Sequence, residues 1–339
     1  MGSKTKDNIS VLILNWLNWE DTIRAIDSVM ESRGVKYNLV VIENGSGNDS
    51  ARKIRGHLQR STGRNSREIS DFNYKFPGQE TKGKVEKIGS ASLIICEKNY
   101  GFSGGCNVGI HYILSKKITG IFLLNSDALI ESHTLKEITS MPPQKKDEIV
   151  GCRVFDIKDG KEILWSDSWT SVFFGIKEGK KKEPIPRYWA VDRVNGSAMY
   201  ISGPVLKKRF RDKKFYFDPR YFLYCEETDL CFYATRKLNN KCWVLRDGRA
   251  FHHISKSLGG RGNARTAYYL TRNSFLLAKV WLSKPMFSLF CIHRLIWITY
   301  LTLGRLIKRG IIRIPVIKAE WLGVKDAFTN RFGEKTFNT

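Results

Sequence analysis

Ile121-Phe122-Leu123-Leu124-Asn125-Ser126-Asp127 runs from an apolar tetrad straight into a polar tripeptide that ends in an acid. A segment apolar at every position, not at alternate ones, reads as a strand buried on both faces, the habit of parallel sheets covered by helices. Such sheets bind ligands beyond the carboxyl ends of their strands. Asp127 is therefore expected at a binding rim.

Working outward, the same pattern recurs. Val11-Leu12-Ile13-Leu14 ends at Asn15 and is followed by Ile23, Ile26, Val29 and Met30 at helical spacing. Leu39-Val40-Val41-Ile42 ends in the turn-forming cluster Glu43 to Asp49. Ser92 to Cys96 precedes a glycine-rich segment, Asn99 to Gly109, expected to form a loop that approaches a ligand closely and opens a helix through Ile110, Ile113 and Leu114. The order is βαβαβ, so the fold class is α/β with a mostly parallel sheet flanked by helices. The loops at Asn15, Glu43–Asp49, Glu97–Asn107 and Asn125–Asp127 converge on one crevice. Between them, Gln59 to Lys87 has few apolar residues and no clear period, and 59–90 is expected to be a polar loop or insertion outside the core.

At 339 residues and 42% hydrophobic content the chain can bury a large core. Its 57 Lys and Arg against 33 Asp and Glu give a formal charge of +24, which favours anionic partners such as nucleotide phosphates, phospholipid headgroups or nucleic acid. Seven cysteines without a C-x-x-C pair suggest neither a zinc ribbon nor a full disulfide framework, and point to a reducing, cytoplasmic setting. Met1 to Ser10 is polar, with no apolar core of an export signal. The basic run Lys177 to Lys182 reads as a solvated loop.

Past about Gly262 the character changes. Tyr268 to Leu282 reads as a helix, and Met286 to Leu303 is strongly apolar, interrupted by His293 and Arg294. A central arginine costs ~2.5–3.5 kcal/mol on insertion scales, which weighs against a single membrane span. Lys308, Arg309 and Arg313 with Ile311, Ile312, Ile314, Val316 and Ile317 suit an anionic membrane surface, but helices that simply pack on the main domain fit equally well. The expected division is 1–265 for the main domain and 266–339 for a helical, basic and apolar appendage.

The chemistry concentrates in Tyr221-Phe222-Leu223-Tyr224-Cys225-Glu226-Glu227-Thr228-Asp229-Leu230, where three acids sit between aromatics at a predicted helix start. Burial and mutual repulsion raise a carboxylate toward the range of a working general base. Acids in a first helical turn also serve simply as dipole partners. Asp127, at a strand end, suits Mg²⁺ or Mn²⁺.

Taken in order, Leu14-Asn15-Trp16, Glu43-Asn44-Gly45-Ser46, Asn99 to Gly109, Leu123 to Asp127, Asn195-Gly196-Ser197-Ala198, Glu226 to Leu230, His252 with Ser257 to Gly260, Arg272-Asn273 and Gly323 to Gly333 resemble the GT-A glycosyltransferases of family 2, especially their rhamnosyltransferase-like branch. The resemblance spans nearly the whole chain. It implies a Rossmann-like GT-A domain and inverting transfer of a sugar from a nucleoside diphosphate donor, UDP- or dTDP-linked, to a hydroxyl of a lipid-linked or saccharide acceptor in cell-surface glycan assembly. By motif match, Glu43 reads the base, while Asn15, Asn44, Asn99, Gly101, Phe102, Asn107 and Asn125 line the nucleotide-sugar site. Asp127 and His252 ligate Mg²⁺ or Mn²⁺, and Glu227 is the base, with Glu226 in reserve and Asp229 orienting. The implied location is cytoplasmic and peripheral on the inner face of the cell membrane. Three positions depart from the pattern: Glu43 and Glu227 stand where Asp is usual, and Asn125 takes the first place of the metal-binding triplet.

Two other classes compete. Gly101-Phe102-Ser103-Gly104-Gly105 satisfies the G-x-S-x-G pattern of a serine hydrolase, with His252 downstream, although Glu97 to Tyr100 separate it from its strand. The charge alone suits a nucleic-acid-binding protein, but no nucleic-acid module is legible and none is expected.

Overall fold

The computed structural model describes residues 9–116, 118–142, 148–163, 169–171, 175–177, 184–253, 263–307 and 314–337. The basic run at 178–182, Ser257 to Gly260, and the Lys308–Arg313 cluster lie outside the described residues, as does most of the Met1–Ser10 segment.

The chain opens β1 (Ile9–Asn15), α1 (Trp19–Met30), β2 (Tyr37–Glu43), α2 (Ser50–Thr62), β3 (Ser66–Phe76), β4 (Gln79–Ile88), β5 (Ala91–Cys96), α3 (Gly101–Leu114) and β6 (Gly120–Asn125). It continues through β7 (Ala128–Ile130), α4 (Thr134–Thr139), β8 (Ile149–Asp156), the small hairpin β9 (Trp169–Ser171) and β10 (Gly175–Lys177), β11 (Tyr188–Val191), β12 (Ala198–Ser202), α5 (Gly203–Lys213), α6 (Glu226–Phe232) and β13 (Cys242–His252). Three helices close it: α7 (Ala264–Trp281), α8 (Lys284–Ile307) and α9 (Ile314–Phe328).

Among the described residues these strands form an eleven-stranded mixed sheet, ordered β11-β13-β8-β12-β6-β1-β2-β5-β4-β3, with β7 pairing β13. The centre is parallel: β1 lies between β2 and β6 and β2 pairs β5, all in parallel register. Period-two alternation sends β1 to both faces. Leu12 and Leu14 join α3 and α5 side chains on one face; Ile9, Val11 and Ile13 join those of α1, α2 and α4 on the other. The strand ends at Asn15, Glu43, Cys96 and Asn125 accordingly leave the sheet on one rim.

Two expectations need correction. Residues 59–90 are not a loop: α2 runs to Thr62, and β3 and β4 make an antiparallel hairpin that extends the sheet through β5. Phe72, Phe76 and Val85 are buried by it, and its lysine-rich outward positions hide the alternation in the sequence. The glycine-rich segment is likewise helix from Gly101 onward. A Cβ at Gly105 would lie 2.4 Å from Leu14, and one at Gly109 2.5 Å from Leu12. These glycines let α3 settle directly on β1.

The last three helices pack as a unit. Phe275 and Ala278 of α7, Phe290 and Ile298 of α8, and Val324 and Ala327 of α9 share one cluster. Gly323 allows α9 to press on α7, where a Cβ would be 2.8 Å from the Tyr268 carbonyl oxygen.

Candidate active site

At the carboxyl rim lies a cleft of about 260 Å³, lined among others by Trp16, Asn44, Asn99, Gly101, Phe102, Asn125, Asp127, Asn195, Gly196, Glu226, Glu227, His252 and Arg265. Nine of the expected site residues thus meet: Asn44, Asn99, Gly101, Phe102, Asn125, Asp127, Glu226, Glu227 and His252.

Asp127 follows β6, and His252 ends β13. The antiparallel pairing of β13 with β7 sets His252 opposite Ala128, and the His253 amide donates to the Asp127 carbonyl. The result is an imidazole Nε2 3.1 Å from the Asp127 Oδ1, although 125 residues separate them in sequence. Asn125 Oδ1, at the same rim, is buried with no hydrogen-bond partner among the described residues. A carboxylate, an imidazole and an unpartnered amide oxygen facing one cleft fit a divalent cation whose coordination is completed by substrate oxygens and water. Among the described residues no three His, Cys, Asp or Glu side chains gather closely enough to hold a metal by themselves.

Asn44 and Asn99 meet the cleft with their edges while bracing its floor. Asn44 Nδ2 donates to Asn99 Oδ1 (3.1 Å) and to the Gly101 carbonyl (3.0 Å), and its Oδ1 accepts from the Tyr100 amide. Gly101 has φ +74°, and a Cβ there would sit 2.5 Å from the Phe222 carbonyl oxygen. Glycine is required both for the left-handed backbone and for the contact between α3 and the acidic loop.

That loop is held in an uncommon conformation. Phe222, Tyr224 and Cys225 all have positive φ, between 61° and 74°, at a cost of about 1–3 kcal/mol each for non-glycine residues. Helix α7 holds it there. Asn273 Nδ2 lies within hydrogen-bonding distance of the carbonyls of Tyr221 (3.0 Å), Leu223 (2.7 Å) and Tyr224 (2.8 Å). The fully buried Arg272 donates to the carbonyls of Arg220, Tyr221 and Gly333, and Phe222 stacks on Tyr269.

The loop delivers two glutamates with different environments. Glu227 Oε1 accepts from Arg193 Nη1 at 3.1 Å and from Thr228 Oγ1 at 3.0 Å, and its stem lies against Gly196, where a Cβ would be 3.0 Å away. Glu226 is buried, its Oε2 without a partner among the described residues. Burial, then the neighbouring Glu227 charge, pushes its carboxyl well above the usual carboxylate range. A carboxyl that keeps its proton in the folded state adds stability at low pH and loses that contribution as pH rises through its folded value. The Glu226→Gln variant should therefore melt close to wild type at pH 5 and a few degrees above it at pH 8, read by thermal denaturation across that range.

Four expected residues do not face the cleft. Asn15 is fully buried, its Oδ1 accepting from Thr22. The Glu43 Oε1 accepts from the Ser46 amide at 2.8 Å and shapes the β2–α2 loop. Asn107 spends its amide on Tyr216 and Phe217 backbone, and Asp229 is ion-paired with Arg209 and bonded to Trp281. Each of the four has a hydrogen-bond or ion-pair partner within the protein. Ser103 is also buried, within α3, so the G-x-S-x-G pattern forms no exposed elbow.

Two cleft residues, Arg193 and Arg265, were not singled out from sequence, and a third, Gly196, belongs to the Asn195–Ala198 motif that was. Arg193 pairs Glu227, and Arg265 lies over the Trp16 ring at 4.8 Å with its guanidinium at the cleft. Gly196 provides the room that the Glu227 stem occupies.

No protein-family profile matches the chain. Solved structures do. GalNAc-T7 with UDP, GalNAc and Mn²⁺ superposes with a TM-score of 0.58 at 14% identity, covering 83% of this chain and 49% of that one. The mannosyltransferase PcManGT from Pyrobaculum calidifontis, with GDP-Man and Mn²⁺, gives 0.57 at 10% identity and covers 97% and 89%. The chain has the GT-A glycosyltransferase fold. Within that fold, S. aureus TarS 1-349 with UDP-GlcNAc gives 0.54 at 13% identity, covering 94% and 81%. By sequence, the low-salt glycan biosynthesis hexosyltransferase Agl10 of Haloferax volcanii is 26% identical over 197 residues. That match takes in 56% of this chain, which spans about 60% of the relative's length.

Proposed function

We propose that the chain is an inverting glycosyltransferase that moves a hexose from a nucleoside-diphosphate donor to a hydroxyl of a lipid-linked or saccharide acceptor in cell-surface glycan assembly. The observation that carries this reading is that one cleft of a GT-A fold holds Glu227, braced by Arg193, together with the Asp127–His252 pair. The glycan-biosynthesis hexosyltransferase relative and the neighbours solved with UDP-GlcNAc and GDP-Man support it.

In this reading Glu227 accepts the acceptor's hydroxyl proton as that oxygen bonds to the anomeric carbon, and the bond to the donor's diphosphate breaks on the opposite face, inverting the centre. Asp127 and His252 would hold Mg²⁺ or Mn²⁺, which when bound supplies positive charge to the departing diphosphate. Arg265, stacked on Trp16 at the same cleft, adds a fixed cation, and Arg193 keeps the Glu227 carboxylate aimed. Asn195, Gly196 and Ser197 shape the donor pocket. The seven cysteines are free, which suits a reducing cytoplasm and supports the proposed location, peripheral on the inner face of the membrane.

The test is calorimetric binding of UDP-, dTDP- and GDP-sugars with Mg²⁺, Mn²⁺ or EDTA. One sugar nucleotide is expected to bind only with a divalent cation, and Asp127→Ala or His252→Ala to weaken that binding by about tenfold or more. Binding of none, or binding indifferent to EDTA and to both substitutions, would overturn the assignment.

A further inference from the structure

Helix α8 is apolar on two opposite sides. Phe287, Phe290, Cys291, Leu295 and Ile298 face inward onto α7 and α9. Opposite them, Met286, Leu289, Ile292, Ile296, Tyr300 and Leu303 are 41–66% exposed. Their spacing of three and four residues makes a continuous stripe about 26 Å long at 1.5 Å per residue. Trp297 is exposed beside it, its ring 5.9 Å from that of Tyr300.

Helix α9 extends this surface. Ile314, Trp321 and Phe328 are exposed, and the equally exposed Lys318 and Lys325 fall between them at positions +4 and +11 from Ile314. Trp321 Nε1 donates to Thr302 Oγ1 of α8 at 3.2 Å, and Arg305 pairs with Glu320. Beside α8, α9 thus adds exposed apolar and aromatic side chains interspersed with lysines. Soluble monomers seldom leave so long a stripe uncovered.

We propose that this α8–α9 face lies in the interfacial layer of an anionic bilayer, with both helices parallel to the membrane plane and the cleft-bearing domain outside it. This refines the peripheral location proposed above but does not depend on the sugar-transfer chemistry. Three observations favour it. Crossing the bilayer would require α8 to give up its inward contacts and carry into lipid the Arg294 guanidinium, which sits on its domain side near Cys225 and Glu320. Tryptophan and tyrosine beside aliphatic residues and lysines suit the headgroup boundary. A second copy is the poorer occupant. A twofold interface sets like surface against like and would bring together the lysines of two chains that each carry +24, whereas anionic lipid neutralises them.

The full-length protein should co-float with phosphatidylcholine vesicles containing phosphatidylglycerol, not with pure phosphatidylcholine, and should be released by alkaline carbonate. Leu289→Glu with Ile296→Glu should lower flotation about tenfold or more, with melting temperature and nucleotide-sugar binding unchanged. Lys318→Glu with Lys325→Glu should lower it and remove most of its salt sensitivity. Equal flotation on neutral lipid, or retention in carbonate until detergent is added, would overturn the proposal. So would failure to float, whether the protein stays monomeric or forms a dimer that Ile296→Glu dissociates. Donor binding is read separately in the same preparation, so a failed membrane contact is not mistaken for a failed enzyme assignment.

Discussion

Glu227→Gln is expected to lower acceptor-dependent sugar transfer by roughly 10²–10⁴-fold, the usual contribution of a positioned general base, while leaving cation-dependent donor binding within about twofold. The amide keeps the shape of the carboxylate and its contact with Thr228, so the loop should not move. What it loses is the ability to take a proton and the charge that pairs with Arg193 at 3.1 Å. Glu227→Asp should retain measurable transfer, since the family that the sequence resembles usually carries Asp there, though one methylene less pulls the carboxylate back from Arg193. Glu226→Gln separates the two glutamates. Burial pushes the Glu226 carboxyl well above its usual range, which favours its neutral form, and the neutral amide should leave most transfer intact. Initial rates with the preferred donor and a hydroxyl acceptor decide it: if Glu226→Gln is the inert variant and Glu227→Gln retains transfer, the roles assigned to the two residues are reversed.

The sheet's centre was legible because burial on both faces forces runs such as Val11-Leu12-Ile13-Leu14 and Ile121-Phe122-Leu123-Leu124, and no other environment tolerates them as well. The β3–β4 hairpin was not. With one face in solvent, Phe72, Tyr74 and Phe76 alternate with polar residues, and the Pro77-Gly78 turn between the strands is the one strong local signal. At the site, chain position was readable but side-chain direction was not. Asn44 and Asn107 are the same residue type in equally glycine-rich surroundings, yet one reaches the cleft and the other caps Phe217 backbone from within α3. Arg193 and Arg265 are two basic residues among 57, and only the folded chain distinguishes them, by bringing one to Glu227 and the other to Trp16. His252 and Asp127 lay between these extremes. Each was singled out, but their contact depends on β13 pairing with the short β7.

The second large effect is expected at Asn273, which does not itself line the cleft but bonds to Leu223 and Tyr224, which do. Tyr221 to Cys225 contains three residues at positive φ, an arrangement that survives only when its surroundings enforce it. Among the enforcing contacts, beside Arg272 and the Tyr269 ring, one amide group stands out: Asn273 Nδ2, set among the carbonyls of Tyr221, Leu223 and Tyr224. Asn273→Ala leaves the Leu223 and Tyr224 carbonyls without this donor at about 1–3 kcal/mol each, while Tyr221 keeps Arg272, so a loss of about 2–5 kcal/mol in stability is expected. The same change frees the segment that aims Glu227, and transfer per folded molecule should fall by about 100-fold, with donor binding reduced far less because Asp127, His252 and Asn99 stand on other elements. Asn273→Asp is the sharper probe. It preserves volume but replaces both donors with an oxygen facing carbonyl oxygens, and it should be at least as damaging as alanine, whereas a site that needed only packing would accept it. Chemical denaturation gives the stability change, and kcat against donor affinity at a temperature where the variants remain folded gives the positional one. If melting falls while kcat per folded molecule holds, Asn273 stabilises α7 without aiming the acidic loop.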